Sequence, residues 1–356
     1  MRGRSMRGFR KNLAIAAALA LATIFLADAK PAAAVPLDYV ALGDSMATGF
    51  GNPPGSGYVD VYRGYAQSDL ATTVNLNNLA VNGMTSQGLR NALETNSTYQ
   101  TAVSGADIVT WNIGGNDMGA PRAQYKAEGN ACGGVDNQDC LRTAVSTFKG
   151  NWDAIIDKLQ LLSNQSTVPF RTMDVYNPFV VEDMADGTFA VLKLYVDEAN
   201  AYMRSTGEAN GIPVAEVYEA FNGPSGTEDP IAKGYMVDAI HPSATGHGVI
   251  ATLLRKLGYA PRIHPDSDTD GWTNWVEGAF IGTTPLLKCG TNANPADFNN
   301  DSAFSGADLS TVAAAIGQAV PPAPARKDIA PSLPDGAITG ADLSAVAARI
   351  GQSCTP

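Results

Sequence analysis

The sequence predicts an α/β protein whose parallel sheet is covered by helices on both faces. Two observations carry the prediction. Between residue 37 and about residue 261, short apolar, β-branched runs alternate with helix-length stretches, the pattern of strands joined by crossover helices. Apolar residues make up 45% of the chain and charged residues 17%, a balance that supports a buried core and excludes wholesale disorder.

The elements follow in order. Residues 37–42 form the first expected strand, with Tyr39-Val40-Ala41-Leu42 as its apolar run, and residues 76–81, 108–113, 171–176 and 213–218 supply four more. Helical spacing of apolar residues marks 141–162, 189–206 and 245–257. A chain of 356 residues allows a second domain. After Pro261 the composition shifts to Asp, Gly, Asn, Pro and Ala. There Gly306 to Gln318 matches Gly340 to Gln352 at 11 of 13 positions with an offset of 34, so the region is duplicated. Each copy places Leu, Val and Ile at helical spacing and stops at Gly, with Pro321, Pro322 and Pro324 as a stiff separator. The expected domains are an N-terminal leader at 1–34, an α/β domain at 35–262, an acidic linker at 263–290 and a duplicated module at 291–356.

Charge and cysteine usage restrict the partners. Lys and Arg number 24 against 35 Asp and Glu, a formal charge of −11, so binding to bare nucleic acid is not expected. Arg2, Arg4, Arg7, Arg10 and Lys11 precede an uncharged stretch at 13–27, followed by Ala32-Ala33-Ala34. That is the layout of a secretory signal peptide, and the stretch is short for a membrane span, which needs about 20 residues. No second run is long enough to span, so a secreted or surface-associated product without a transmembrane anchor is expected. In an oxidising compartment four cysteines suggest pairing. Cys132 and Cys140 share one loop while Cys289 and Cys354 bracket the C-terminal region, which favours local pairing among the three connectivities. A zinc site is disfavoured, since no Cys-x-x-Cys occurs and no His lies near a Cys.

The residues that can carry chemistry sit after the expected strands. Gly43-Asp44-Ser45 directly follows the first strand, which places Ser45 at a carboxyl end, the edge where open parallel sheets build their sites. A serine hydroxyl becomes a nucleophile when a histidine, itself held by a third group, takes its proton. His241 lies in Asp238-Ala239-Ile240-His241-Pro242, so one loop offers both imidazole and carboxylate. His247 falls within a helix and His264 in the interdomain segment, and both read as surface or packing histidines. Asn116 in Gly114-Gly115-Asn116-Asp117, and Gly83, follow the third and second strands, where an amide side chain and a backbone N–H can join the Ser45 N–H around an oxyanion. No Gly-x-Ser-x-Gly, His-Glu-x-x-His, Gly-x-x-x-x-Gly-Lys or Gly-x-Gly-x-x-Gly occurs.

Together these blocks resemble an SGNH hydrolase of the GDSL esterase/lipase family over residues 37–259. The resemblance implies a three-layer, flavodoxin-like sandwich that hydrolyses carboxylic esters. It implies Ser45 as nucleophile, His241 as general base, Asp238 as its orienter, and Gly83 and Asn116 as oxyanion donors, with no catalytic cofactor. Met46 stands where the family usually has Leu, and Met84-Thr85-Ser86 replaces the commoner small residue after the glycine. Cys132 and Cys140 resemble the loop disulfide of secreted bacterial members.

Asp266 to Glu277 satisfies every fixed position of the calcium-loop pattern D-x-[DN]-x-[DN]-G-x5-E. Asp266, Asp268, Asp270 and Glu277 with the Trp272 carbonyl are the expected oxygen ligands of Ca2+, the alternative being a solvated acidic linker. The first repeat places Asp297, Asn299, Asp301 and Asp308 at ligand positions, with Ser302 where Gly is usual. In the second, Pro331 and Leu333 occupy two of them, and Asp328 can substitute only in a longer loop. The duplicated unit resembles a dockerin, which implies a cohesin-like partner; a calcium-rigidified stabilising module is the equal alternative. The expected activity is hydrolysis of a lipid, aryl or acetylated-carbohydrate ester. A binding or scaffolding protein with a secondary hydrolase domain is the contrasting possibility, and an acetyl-polysaccharide esterase a further one.

Overall fold

Five strands form one fully parallel sheet in the order β2-β1-β3-β4-β5: β1 (Leu37–Leu42), β2 (Val74–Asn78), β3 (Ile108–Trp111), β4 (Phe170–Met173) and β5 (Val214–Ala215). These come from a computed structural model that describes residues 35–330 and 333–354, so the expected signal peptide lies outside the described residues. Side-chain alternation makes the two cores. Val40 and Leu42 of β1, Val109 and Trp111 of β3 and Phe170 of β4 pack against Leu89, Leu93, Phe148, Trp152 and Ile155. On the other face Tyr39 and Ala41 join Ile108 and Met173 against Tyr58, Tyr62, Ile250 and Leu254. The helices facing these cores are Ser86–Thr95 and Asp139–Leu162 on one side, and Tyr58–Asp69 and Ala244–Lys256 on the other. The chain leaves β1 toward β2 on one side and returns to β3 on the other, so the loops after β1 and β3 flank the point where strand order reverses.

The expected strands are all present, with shifted ends. The second begins at Val74 and stops at Asn78 rather than Val81, yet the Leu79 and Val81 N–H groups still donate to the Ala41 and Gly43 carbonyls. The fifth shrinks from the expected 213–218 to two residues because Val217–Asn222 turns helical, its Tyr218 N–H captured by the buried Asp174 carboxylate at 2.7 Å. Two of the three expected helices extend, to Asp139–Leu162 and Phe189–Ala209, and the third shifts by one residue to Ala244–Lys256. Among the described residues no helix is long and apolar enough to cross a membrane.

Beyond residue 262 the duplication folds as two loop–helix copies, Gly306–Ala313 and Gly340–Ala347. Each helix opens with a capping box, Ser305 with Asp308 and Thr339 with Asp342. Val312, Val346, Ile338 and Phe304 form their shared core, and Cys289–Cys354 ties its ends. Residues Pro36–Pro356 form one compact unit. The segment at 263–290 is accordingly no free linker. Its Trp272 belongs to the C-terminal core while Trp275 also packs on the sheet's second core.

Candidate active site

Ser45 opens the short helix Ser45–Thr48 immediately after β1. Gly43 makes that turn: its φ is +141°, and a Cβ there would run into the Asn112 side chain and carbonyl. Asp44 caps the helix, its Oδ1 accepting from the Met46 N–H at 2.9 Å and from Asn112 Nδ2 at 2.7 Å, while the Tyr58 hydroxyl donates to Asn112 Oδ1 at 2.8 Å. Burial pushes the Asp44 carboxyl up to about 6 against those two hydrogen bonds. The turn that follows the strand is thus held by a chain of buried polar groups.

His241 Nε2 lies 3.1 Å from Ser45 Oγ, and its Nδ1 lies 2.8 Å from Asp238 Oδ2. Asp238 Oδ1 accepts from the Ile240 and His241 N–H groups at 2.8 and 2.7 Å. Partial burial would raise this carboxyl, yet the hydrogen bonds from Ile240 and His241 leave it below its ordinary value. The Tyr176 hydroxyl, donating to the Ile240 carbonyl at 2.5 Å, pins the loop from the sheet side. Two carboxylate bonds fix the loop and a third orients the imidazole, a geometry suited to accepting a serine proton.

Asn116 lies in the first turn of Gly115–Ala127, after β3. Its Nδ2 donates to the Met84 carbonyl at 2.9 Å and sits 3.5 Å from Asp44 Oδ2. Gly83 takes φ +78°. Among the described residues no acceptor engages its N–H, and Asn82, beside it, accepts from Thr48 Oγ1 at 2.6 Å. The expected site residues are therefore brought to one sheet edge. Residues that motif reading did not assign hold the loops in register: Asp117 accepts from the Ser86 N–H at 2.9 Å and from Ser86 Oγ at 2.5 Å, and Asn151 Nδ2 donates to the same Oγ at 3.0 Å. Only the polar burial pattern of a folded chain could have revealed them.

The other histidines are structural. His247 is fully buried with both ring nitrogens unpartnered, and burial, with the nearby His241, lowers it to about 4. His264 accepts from the Tyr259 N–H, and its ring lies tilted against that of Trp275 at 4.3 Å.

From Ser45, Asn116 and His241 a cleft of about 340 Å³ runs between Gly115–Ala127 and Phe189–Ala209. Met118, Leu141, Val175, Phe179, Leu192 and Val196 make its walls apolar. Among the lining residues Arg122 lies 3.7 Å over the Phe179 ring and is neutralised by the buried Asp183 at 2.6 Å. The Cys132–Cys140 disulfide borders Leu141, the start of one wall.

Among the described residues two carboxylate clusters occur away from the triad. Glu182, Asp183 and Asp186 are paired with Arg122 and Lys126. Among the described residues Asp266, Asp268 and Asp270 converge with no ion pair to a basic side chain, the Arg349 guanidinium resting on the Asp270 carbonyl, and at the neighbouring Glu277 burial first and Asp270 second push the carboxyl up to about 9. In the repeats the expected ligand Asp308 is engaged by backbone donors, its Oδ1 accepting from the Phe298 N–H and its Oδ2 from the Ser305 N–H. Asp297 accepts from the Asp301 and Ser302 N–H groups, and Asp328 from Asp335 and Gly336. Asp328 is therefore the counterpart of Asp297 in a longer loop.

A strand-order reversal flanked by a serine, a histidine–carboxylate pair and an amide donor defines the serine ester-hydrolase class. Residues 41–249 match the GDSL-like lipase/acylhydrolase family, and the chain belongs to it. It is a lipase/esterase-type hydrolase. Spore germination lipase LipC of Bacillus licheniformis is 25% identical over 63% of this chain and 97% of its own. The uncharacterised Bacillus subtilis protein YpmR is 26% identical over 59% of this chain and 77% of its own. The fold is shared with the lipase Lip_vut3 from a goat rumen metagenome, at a TM-score of 0.52 and 24% identity over 63% of this chain and 98% of that one.

Proposed function

We propose that this hydrolase cleaves carboxylic esters with an aliphatic acyl chain, using Ser45, His241 and Asp238 as a triad. The observation that carries the reading is the unbroken Oγ–Nε2 and Nδ1–Oδ2 relay opening into an apolar cleft. Ser45 Oγ attacks the ester carbonyl as its proton passes to His241 Nε2. The oxyanion is met by the Ser45 and Gly83 N–H groups and Asn116 Nδ2. Collapse expels the alcohol, which takes the proton from His241. Water then attacks the acyl-enzyme with His241 again as base, and releases the acid. Asp238 holds the ring and stabilises its charged form.

A lining of Leu, Val, Met and Phe favours an alkyl chain over a bare acetyl group. A chain-length series of nitrophenyl esters tests this: kcat/KM should rise from acetyl to longer acyl groups, and Ser45→Ala and His241→Ala should each remove nearly all turnover. Peak activity on acetyl esters would turn the reading to an acetyl-polysaccharide esterase. Loss at His247→Ala equal to that at His241→Ala would displace the assigned base.

The basic and apolar N-terminus, with both disulfides formed and no free thiol among the described residues, supports export to an oxidising compartment. We further read the C-terminal region as a dockerin-like unit that holds Ca2+ as a structural ion through Asp266, Asp268, Asp270, Glu277 and the first repeat loop. Its shared core with Trp272 favours a brace over a cohesin-binding surface.

A further inference from the structure

We infer that one calcium ion, bound by Asp266, Asp268, Asp270, Glu277 and the Trp272 carbonyl, is the clasp joining the duplicated unit to the hydrolase domain. On this inference its occupancy sets the local stability of the hydrolase helices it touches. The inference rests on the calcium reading above and adds a location and a consequence to it.

The site calls for a cation. Asp268 Oδ2, Asp270 Oδ2 and Glu277 Oε2 are buried oxygens with no hydrogen-bond partner, and Glu277 as a residue is fully buried. Burying unpaired carboxylates is costly unless a counter-charge joins them. At Asp183, the buried member of the other acidic cluster, Arg122 and Lys126 supply the counter-charge, whereas here no Lys, Arg or His forms an ion pair with any of the four among the described residues, and the nearby Arg349 guanidinium donates to the Asp270 carbonyl rather than to a carboxylate. Ligands that are all oxygen suit calcium.

The position of the loop makes it a joint. Toward the hydrolase domain, Asn274 Nδ2 donates to the Ser68 carbonyl at 3.1 Å and Trp275 Nε1 to the Arg255 carbonyl at 2.8 Å. The Arg255 guanidinium is bonded to both Asp69 oxygens and, at 2.6 Å, to the carbonyl of Gly278, the residue after the last ligand. A Cβ at Gly278 would overlap that guanidinium. Toward the duplicated unit, Trp272 Nε1 donates to the Ile329 carbonyl at 2.7 Å, and Arg349 donates to the Asp270 carbonyl at 2.9 Å while lying over the Trp272 ring. Ligands and joint contacts thus alternate along one loop. Without the ion the carboxylates repel, Glu277 is driven outward, and Gly278 leaves Arg255.

The test uses the full-length chain stripped with EDTA and titrated with calcium chloride. Calorimetry should show binding, and Glu277→Gln and Asp268→Asn should each weaken one binding event at least tenfold. Hydrogen exchange should slow at least tenfold on calcium addition in the last turns of Tyr58–Asp69 and Ala244–Lys256, and should not respond in Glu277→Gln. The more exposed Asp268→Asn gives the same comparison should Glu277→Gln fail to fold. No binding heat overturns the calcium reading itself. Binding with protection confined to residues 297–354 overturns the clasp while leaving calcium in the repeats. Neither readout depends on esterase activity.

Discussion

Asn116 Nδ2 has one hydrogen committed to the Met84 carbonyl and faces Asp44, at 3.5 Å, with the other, so in the proposed mechanism it is this second hydrogen that turns to the oxyanion. Asn116→Ala should lower kcat on the order of 10²-fold or more, with a smaller effect on KM, in steady-state assays. Asp44 makes a different prediction. Its folded value of about 6 lies above 3.8, the value for the free carboxyl, so ionisation is easier in the unfolded chain and opposes folding. Its contribution is therefore most favourable below about pH 4, declines as pH rises toward 6, and stays lower beyond, by a total on the order of 3 kcal/mol. Asn at this position can still accept from Met46 and Asn112 but cannot ionise. Urea unfolding of Asp44→Asn and the parent from pH 4 to 7 should show the variant gaining relative stability through that window. A difference independent of pH would place the Asp44 titration elsewhere.

At the scale of elements, the cleft owes its walls to helices that the sheet alone does not position. Leu141 stands beside Cys140 at the start of Asp139–Leu162, and closing the loop to Cys132 stabilises the fold by about 2–3 kcal/mol in the chain-entropy model. Cys132→Ser/Cys140→Ser should therefore raise KM for long-chain esters more than for acetyl esters. On the opposite wall, Val196→Trp in Phe189–Ala209 should fill the cleft and shift the chain-length optimum to shorter acyl groups. Equal effects on all chain lengths would remove the acyl chain from this cleft.

For the molecule as a whole, the hydrolase domain does not end where its family resemblance ends. Asp69 is fully buried against Arg255 and the Tyr259 hydroxyl, and Arg255 completes its hydrogen bonds on Gly278. Truncation after residue 262 leaves this pair short of an acceptor and uncovers the surface under Trp275. It should cost about 2–4 kcal/mol, read as a fall in Tm on the order of 5–10 °C in calorimetry. Chelation should act in the same direction on stability while leaving turnover of a small soluble ester nearly unchanged at moderate temperature, since no expected ligand lies among the catalytic loops.

The sequence by itself determined the α/β class, the parallel sheet, the duplicated C-terminal unit and the residues of the relay. Strand alternation, a repeat and short catalytic blocks are local patterns, because each needs a given residue type at a given spacing. Asp238 and His241 share one loop, so their pairing was legible. The partnership of Ser45 with that loop, 196 positions away, followed from chemistry and from resemblance. Only the tertiary structure decided the rest. The polar chain from Asp44 through Asn112 to Tyr58 joins three separate elements, and nothing in the residues between them encodes its hydrogen bonds. The apolar cleft exists only where helices from distant segments face one another. Residues 263–290 read as an acidic linker because their charges are visible in sequence, whereas the two tryptophans that bury the segment find their partners through contacts more than 15 positions apart. Local patterns specify elements, and long-range packing specifies which surfaces they share.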